Sequence, residues 1–240
     1  MTVSAARLAE VFVEIADTDG DGFDLSEFLQ LVTVRAAEVA DADAAGLLLA
    51  DPQARLQFVA GSDETTRLLE LYQMQHREGP CLESFRTGTP VVNANLADSA
   101  DRWPQFKPRA MAAGFSSVHA MPLQLRGKTL GALNLFDTQA GRLQPDDVRI
   151  VRSLADVVTI RLLQERASSG GEQLVAQLQV ALDSRIVIEQ AKGVVAQQRQ
   201  ISVEQAFELI RAHSRRNNQQ LSELARTIVE DRARIPGLTG

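Results

Sequence analysis

The chain has 240 residues, 45% hydrophobic and 23% charged, which is ordinary for a globular protein of one or two domains with a buried core. Its single cysteine excludes an internal disulfide framework, and its formal net charge of -6 argues against indiscriminate coating of nucleic acid, although it leaves a local basic patch open. No apolar run approaches the roughly 20 residues of a membrane span and the N-terminus lacks signal-peptide features, so we expect a cytoplasmic protein without membrane contact.

Residues 1–40 predict an N-terminal helical segment that packs on the domain after it. Within this segment, residues 17–28 read DTDGDGFDLSEF, and the first six match the opening of a calcium-binding EF-hand loop. That loop needs a glutamate at position 12, where this chain has Phe28, with Glu27 one place early. One residue rotates a helical side chain by roughly 100°. We therefore favour an acidic turn without calcium, and we expect no metal site and no cofactor.

Residues 41–166 alternate predicted strands with predicted helices. AAGLLLA and LQFVAG predict a hairpin around DPQAR, and DETTRLLELYQMQ predicts a helix with Asp63 near its N-cap. TPVVNANL predicts a strand, and PQFKPRAMAAG a helix closed by Gly114. SSVHAMPLQL and KTLGALNLF predict two strands joined by a tight turn at Arg126-Gly127, before a long helix that begins at Pro145. This order predicts an antiparallel sheet flanked by helices.

Residues 167–182 predict a linker and the start of a long helix. The stretch ASSGGEQ has linker composition, and its two glycines disfavour a continuous helix. The helix expected after it, to about Gln198, begins with an apolar seam typical of a coiled coil, formed by Leu174, Leu178 and Leu182.

Residues 183–235 predict an all-α domain of three helices, because they contain no strand pattern. The long helix supplies the first of the three. Ser202 followed by Gln205 predicts a capping box that opens the second helix, and LSELARTIVE predicts the third. Helices of this size pack as a small bundle.

A basic block near the end of the second helix is the strongest charge feature. No acidic residue lies between Glu208 and Glu223. Arginine forks beside amides suit phosphates and base edges, but a solvated surface face explains the same pattern, and the residues alone leave both interpretations open. The residues considered for nucleic-acid contact are Arg211, His213, Arg215, Arg216 and Asn218.

Lys192 and Cys81 are isolated residues with potential chemistry. Lys192 interrupts an apolar run beside Gly193, and a glycine inside a helix indicates close packing or close approach of another group. Cys81 is the only thiol, and His76 lies five residues before it. A nucleophilic cysteine would make the protein an enzyme, but free cysteines are usually buried, and we favour that interpretation.

Two groups of motifs resemble known domain families. Residues 184–229, with IEQAKGVV, EQAFELIR and LSELA in order, resemble the ANTAR domain, an RNA-binding three-helix module of bacterial antiterminators. The blocks AAGLLLAD, EGPCLESFRTGTPVV, GFSSVHAMPLQLRG and LGALNLF resemble the GAF domains that precede ANTAR in actinobacterial regulators. The resemblance implies an α+β chain: a GAF-like antiparallel sheet flanked by helices, then a coiled-coil-like helix and an all-α three-helix ANTAR domain.

The resemblance implies a homodimeric transcription antitermination regulator that binds tandem RNA stem-loops in a transcript leader. It places RNA contacts at Lys192, Arg211, Arg215 and Arg216, with Asn218 and His213 as weaker contributors. The GAF domain would control dimer geometry through a ligand or a partner protein that the sequence does not identify. Two alternatives are a helix-turn-helix-like DNA-binding regulator, suggested by LSELARTIV, and a ligand sensor that acts through protein contacts.

Overall fold

The computed structural model describes residues 3–16, 24–51, 53–98, 102–140, 143–168, 187–217 and 219–230. The chain divides into two compact units: the first contains Met1–Asp17 and Leu29–Val175, and the second contains Thr18–Phe28 and Ala176–Gly240. The predicted linker glycines and the seam of Leu174, Leu178 and Leu182 lie outside the described residues. Among the helices that are described, none is long and apolar enough to cross a membrane.

The first unit consists of a sheet with helices packed on it. Its strands are β1 (Ala44–Ala50), β2 (Leu56–Gly61), β3 (Val91–Asn95), β4 (Ser117–Leu125) and β5 (Lys128–Asp137). Its helices are α1 (Ala5–Ala16), α2 (Leu25–Ala40, whose first turn belongs to the second unit), α3 (Glu64–His76), α4 (Pro80–Thr87), α5 (Phe106–Ala112) and α6 (Pro145–Ser168).

The five strands form one antiparallel sheet in the order β2-β1-β5-β4-β3. This architecture confirms the predicted α+β class and both predicted hairpins. At the tight β4–β5 turn, Arg126 and Gly127 have φ values of 50° and 78°. Two consecutive positive φ values are typical of the type I′ turn, whose twist matches that of the strands it joins. The helix predicted after Asp63 is also confirmed, and the Asp63 side chain accepts a hydrogen bond from the Thr66 amide at its N-cap.

The centre of the sheet is covered on both faces. Every residue of β1 and eight consecutive residues of β5 are buried, and neighbouring residues of a strand point to opposite faces. Helix α3 packs against β1 and β2, α4 packs against β4 and β5, and α6 packs against β4. Any polar side chain of these central strands must therefore find its partners inside the protein.

Helix α4 is an element that the sequence pattern missed. Its eight residues lie between Gly79 (φ 132°) at the N-cap and Gly88 (φ 63°) at the C-cap, and Pro80 occupies the first turn. Glycine and proline at these positions are typical of a turn, so the sequence pattern does not predict a helix here. The helix is stabilised by packing, since its own residues Cys81, Leu82 and Ser84 are buried.

The second unit contains the predicted three-helix bundle: α7 (described over residues 187–199), α8 (Val203–Arg216) and α9 (Leu221–Glu230). The predicted capping box is present, with the Gln205 amide 3.2 Å from Ser202 Oγ and the Ser202 amide 3.1 Å from Gln205 Oε1. All three helices contribute to one apolar core, formed by Ile188, Ala191, Val195, Ala206, Phe207, Ile210, Leu221, Leu224, Ala225 and Ile228.

A carboxyl group lies in the interior of the first unit. Glu70, on α3, is fully buried and accepts hydrogen bonds from Asn134 Nδ2 at 2.6 Å and Gln73 Nε2 at 2.8 Å. Strand β1 approaches it closely at Gly46, where a Cβ would overlap the carboxylate. Burial raises the pKa of Glu70 to about 8, although the Asn134 hydrogen bond acts in the opposite direction. Asn134 Oδ1 has no hydrogen-bond partner among the described residues, and a proton on Glu70 would add a donor to this cluster.

We predict that Glu70→Gln changes how stability depends on pH. Because the pKa of Glu70 rises from 4.5 to about 8 on folding, protonation favours the folded state. This contribution is fully present below pH 4.5 and is lost as pH rises through about 8, amounting to about 5 kcal/mol at most. The glutamine keeps the shape but does not titrate, so its stability relative to the wild type should increase between pH 6 and pH 9.

Urea unfolding at a series of pH values measures the difference. Glu64→Gln, on the same helix but with a side chain that is 65% exposed, is the matched control and should follow the wild-type curve. Parallel curves for Glu70→Gln and the wild type would contradict the prediction.

Candidate functional site

The C-terminal end of α8 carries exposed positive charge. The buried side of this helix contains Phe207, which is 4% exposed and belongs to the core of the three-helix bundle. Arg215 and Arg216 lie exposed in the last turn, and His213 is half-buried. Cations at a helix C-terminus are favoured by the helix dipole, so these arginines are stable there while still accessible.

Arg211 differs from the two exposed arginines. It is only 4% exposed, and its Nε lies 3.1 Å from Glu27 Oε1 in the same compact unit. Arg215 Nε lies 3.4 Å from the same oxygen. Arg211 Nη2 has no hydrogen-bond partner among the described residues. The predicted RNA contact at Arg211 is therefore occupied by a carboxylate of the chain itself.

The N-terminus of α9 also receives a carboxylate of the second unit. Asp24 Oδ2 accepts hydrogen bonds from the Ser222 amide at 3.2 Å and from Ser222 Oγ at 3.0 Å. Asp24 Oδ1 accepts the amides of Ser26 and Glu27 at 2.8 and 3.3 Å, at the start of α2. Helix N-termini favour anions because their first amides are unpaired and the dipole is positive there. The unit thus holds two carboxylates against donors that also suit phosphate.

Lys192 is placed differently from the arginines. The residue is 5% exposed, its Nζ lies 2.8 Å from Glu189 Oε1, and the ammonium group is 5.3 Å from the centre of the Phe207 ring. The next residue, Gly193, is exposed, and a Cβ built there would meet no atom within 4 Å beyond the backbone of its own helix. The glycine is therefore not required by packing against the described residues, and it leaves an open patch beside Lys192.

Asn218 and His213 are the two other residues predicted to contact RNA. Asn218 lies outside the described residues. The backbone carbonyl of His213 accepts the amide of Asn217 at 3.1 Å and its side-chain Nδ2 at 2.8 Å, so Asn217 ends α8. The structure thus brings Arg211 and Arg215 together on one carboxylate, with Arg216 exposed beside them in sequence.

Sequence reasoning missed Asp24, Glu27 and Ser222 as parts of this site. The stretch that contains Asp24 and Glu27 resembles only half of a calcium loop, and this pattern does not indicate a contact with α8 or α9. Asp17, Asp19 and Asp21, which match the first ligand positions of that loop, lie outside the described residues. Among the residues that are described, no group of three or more histidine, cysteine, aspartate or glutamate side chains could hold a metal ion.

Cys81 lies in an environment that disfavours the thiolate. It is fully buried, and burial together with the nearby Glu70 raises its pKa above the ordinary value. His76, the base considered for it, is exposed and stacks on Tyr72 with ring centres 3.9 Å apart. A buried thiol that resists ionisation fits a core residue.

Comparison with solved structures shows the fold of the first unit. The chain is similar to the GAF domain of a phosphoenolpyruvate-protein phosphotransferase from Coxiella burnetii (20% identity, 69% of this chain and 98% of that chain, TM-score 0.53). It is also similar to a free methionine-R-sulfoxide reductase from Neisseria meningitidis in complex with its substrate (17% identity, 70% and 97%, TM-score 0.53). The GAF domain of the Acinetobacter phosphotransferase gives 13% identity over 70% and 99%, with a TM-score of 0.52. At these identities the likeness establishes the fold alone.

Sequence families establish the order of two domains along the chain. No functionally curated protein is significantly similar to it. Residues 24–162 match the GAF domain family, and residues 176–229 match the ANTAR domain. GAF is a sensor domain and ANTAR an RNA-binding antitermination domain. The order of the two matches and the observed sheet and bundle agree with the expected resemblance, and the chain belongs to the GAF-ANTAR family of regulators.

Proposed function

We propose that the protein is a non-enzymatic, homodimeric antitermination regulator in which the ANTAR helices bind paired RNA stem-loops and the GAF domain senses a signal. The observation that carries the RNA assignment is the exposed pair Arg215 and Arg216 at the end of α8, inside the ANTAR match, in a chain of net charge -6. Local positive charge on an acidic protein favours a specific phosphate-binding face over general attraction to nucleic acid.

The proposed RNA face contains donors for phosphates and planar groups for unpaired bases. Arg215 and Arg216 supply guanidinium forks, and the α9 N-terminus with Ser222 supplies an amide and a hydroxyl. Unstacked loop bases are the usual target of sequence-specific RNA recognition. Because Phe207 is buried, stacking on such bases falls to the arginine planes or to His213.

Intramolecular carboxylates compete with RNA for this face. Glu27 lies within ion-pair distance of both Arg211 and Arg215, and Asp24 binds the N-terminus of α9. An RNA phosphate that used the same donors would have to displace these oxygens. The free protein would then bind RNA less tightly than its arginines alone would allow.

Dimerisation would match two RNA-binding units to two stem-loops. The proposed seam of Leu174, Leu178 and Leu182 is a sequence feature, and the proposed linker and bundle boundaries at 167–182 and 183–235 place it just before the ANTAR helices. Binding one stem-loop raises the effective concentration of the second, so a tandem RNA gains affinity without new contacts. The GAF domain would set this geometry by stabilising one dimer arrangement.

Selection from a library of two-hairpin transcripts, followed by titration at several salt concentrations, tests the proposal. The selected RNA should bind more tightly than either hairpin alone and more tightly than duplex DNA, with a salt slope that reflects several phosphate contacts. Preference for duplex DNA would support the helix-turn-helix alternative. Failure to enrich any hairpin would support a sensor that acts through protein contacts.

We predict that Arg215→Ala combined with Arg216→Ala weakens binding to the selected RNA by about tenfold and reduces the salt slope by about 1 for each phosphate that is no longer neutralised. Both side chains are exposed, so the melting temperature should change little. Arg149→Ala with Arg152→Ala removes the same charge from exposed positions on α6 and should bind like the wild type. Equal losses of affinity in the two double variants would show that only net charge matters.

We predict that Glu27→Gln strengthens RNA binding by roughly two- to fivefold, the scale of its ion pair with the exposed Arg215, because this competing carboxylate charge is removed. The effect should decrease as salt increases. Glu223→Gln, a change of the same charge in the first turn of α9, is the control. Weaker RNA binding by Glu27→Gln would indicate that Glu27 holds Arg211 in a binding-competent position.

We predict that Gly193→Ala raises stability and weakens RNA binding. Alanine favours an α-helix over glycine by about 1 kcal/mol, and the added methyl group has open space in the free protein. RNA that approaches the patch beside Lys192 would meet that methyl group. Thermal unfolding and RNA titration separate the two effects, and Gly193→Gln should weaken binding further. Unchanged RNA affinity in both variants would remove this patch from the interface.

A further inference from the structure

A cleft lies at the β2 edge of the sheet in the first unit, where the β1–β2 turn meets the C-terminal ends of α3 and α4. Its volume is about 470 Å³, within the range of roughly 300–1,000 Å³ that is common for small-molecule sites. Polar and apolar residues both contribute to its walls. They are Ala54, Arg55, Leu56, Gln57, Met74, Arg77, Leu82, Phe85 and Arg86.

The charge of this cleft is entirely positive. Three of its lining residues are arginines, and none of the described residues that line it is acidic. Arg55 already pairs with Asp51, at 2.8 Å between Nε and Oδ2. Within the described part of the chain, Arg77 and Arg86 have no carboxylate within ion-pair distance. Two guanidinium groups thus lie at one concave site with no carboxylate partner among the described residues.

The ends of two helices fix the backbone positions of Arg77 and Arg86. Arg77 is the C-cap of α3, in the left-handed region with φ 54°, and its amide donates to the last carbonyls of that helix. Arg86 lies in the last turn of α4, and its Nη1 donates to the Arg77 carbonyl at 3.4 Å. Like charges held on the same rim repel each other, and an anion between them would relieve that repulsion while accepting charge-assisted hydrogen bonds.

The walls between the arginines are apolar. Leu82 is buried, while Leu56, Met74 and Phe85 are half-buried. Leu56 and Met74 pack against a core cluster of Leu48, Cys81 and Ala132, so the wall continues into the interior. Methionine adapts to ligands of irregular shape because its side chain is flexible and polarisable.

We propose that this cleft binds a small organic anion, with its carboxylate or phosphate group on Arg77 and Arg86 and its apolar body against Met74, Leu82 and Phe85. The proposal that an anion binds is argued from the geometry and charge of the cleft alone. The role of that anion as the signal of the GAF domain rests on the proposed function.

Calorimetric titration of the full-length protein with benzoate, phenyl phosphate, benzamide and inorganic phosphate tests the proposal. Benzoate and phenyl phosphate should both bind. Benzamide, which lacks the charge, and inorganic phosphate, which lacks the apolar body, should bind at least about tenfold more weakly. Arg77→Gln with Arg86→Gln should lower the affinity for benzoate and phenyl phosphate by about tenfold or more. Arg149→Gln with Arg152→Gln, exposed on α6, removes the same charge and should leave both affinities unchanged.

Equal binding of benzoate and benzamide, or equal losses of affinity in the two double variants, would overturn the assignment to Arg77 and Arg86. Equal binding of phenyl phosphate and inorganic phosphate would overturn the role of the apolar wall. A parallel titration with RNA separates the two proposals. Binding of the organic anion without any change in RNA affinity would leave the cleft intact and count against the sensor role. Absence of anion binding, with RNA binding intact, would overturn the proposed anion site and leave the proposed function unaffected.

Discussion

The removal of water from both faces of the central strands is the constraint on which the first unit depends. Strands β1 and β5 are buried almost throughout, so a polar side chain among them must be satisfied by the protein. Asn134 reaches Glu70 on α3, and Gln73 joins that carboxyl group to the amide of Cys81 at the start of α4, at 3.2 Å. One buried network thereby links the sheet to two helices. The same burial raises the pKa of Cys81, so this residue stays a thiol in the core.

Features set by nearby residues could be predicted from the sequence. The N-cap at Asp63, the capping box at Ser202 and the tight turn at Arg126-Gly127 each depend on side chains or backbone within three residues, and all are present. Helix α4 was missed because its glycines and proline favour a turn locally. Packing of its buried residues on the sheet, which the local pattern does not contain, makes it a helix.

The candidate sites depend on residues far apart in sequence. Arg211 and Glu27 are separated by 184 positions, so an arginine that looks exposed on the helix pattern is in fact paired and buried. Nothing near either residue indicates the other. The anion cleft has the same origin, because its arginines come from three separate elements that only the folded sheet edge assembles. Motifs identified the domains, whereas the state of each charge required the structure.

The proposed RNA face and the anion cleft differ in how their arginines are paired. In the second unit, carboxylates of the chain hold guanidinium and amide donors that also suit phosphate. In the first unit, Arg77 and Arg86 meet no such carboxylate among the described residues and face a partly apolar cleft. Internal pairing gives a face that a polyanion must compete for, while an unpaired rim favours a small anion that fits.

The two carboxylate oxygens of Asp24 accept hydrogen bonds from two different helix N-termini. Oδ1 accepts the amides that begin α2, and Oδ2 accepts the donors of Ser222 that begin α9. An anion that bound the N-terminus of α9 would therefore replace a single oxygen atom, and the cap of α2 would remain in place. The N-terminus of α9 would exchange one anionic ligand for another by substitution. Both α2 and α9 would stay folded before and after the exchange.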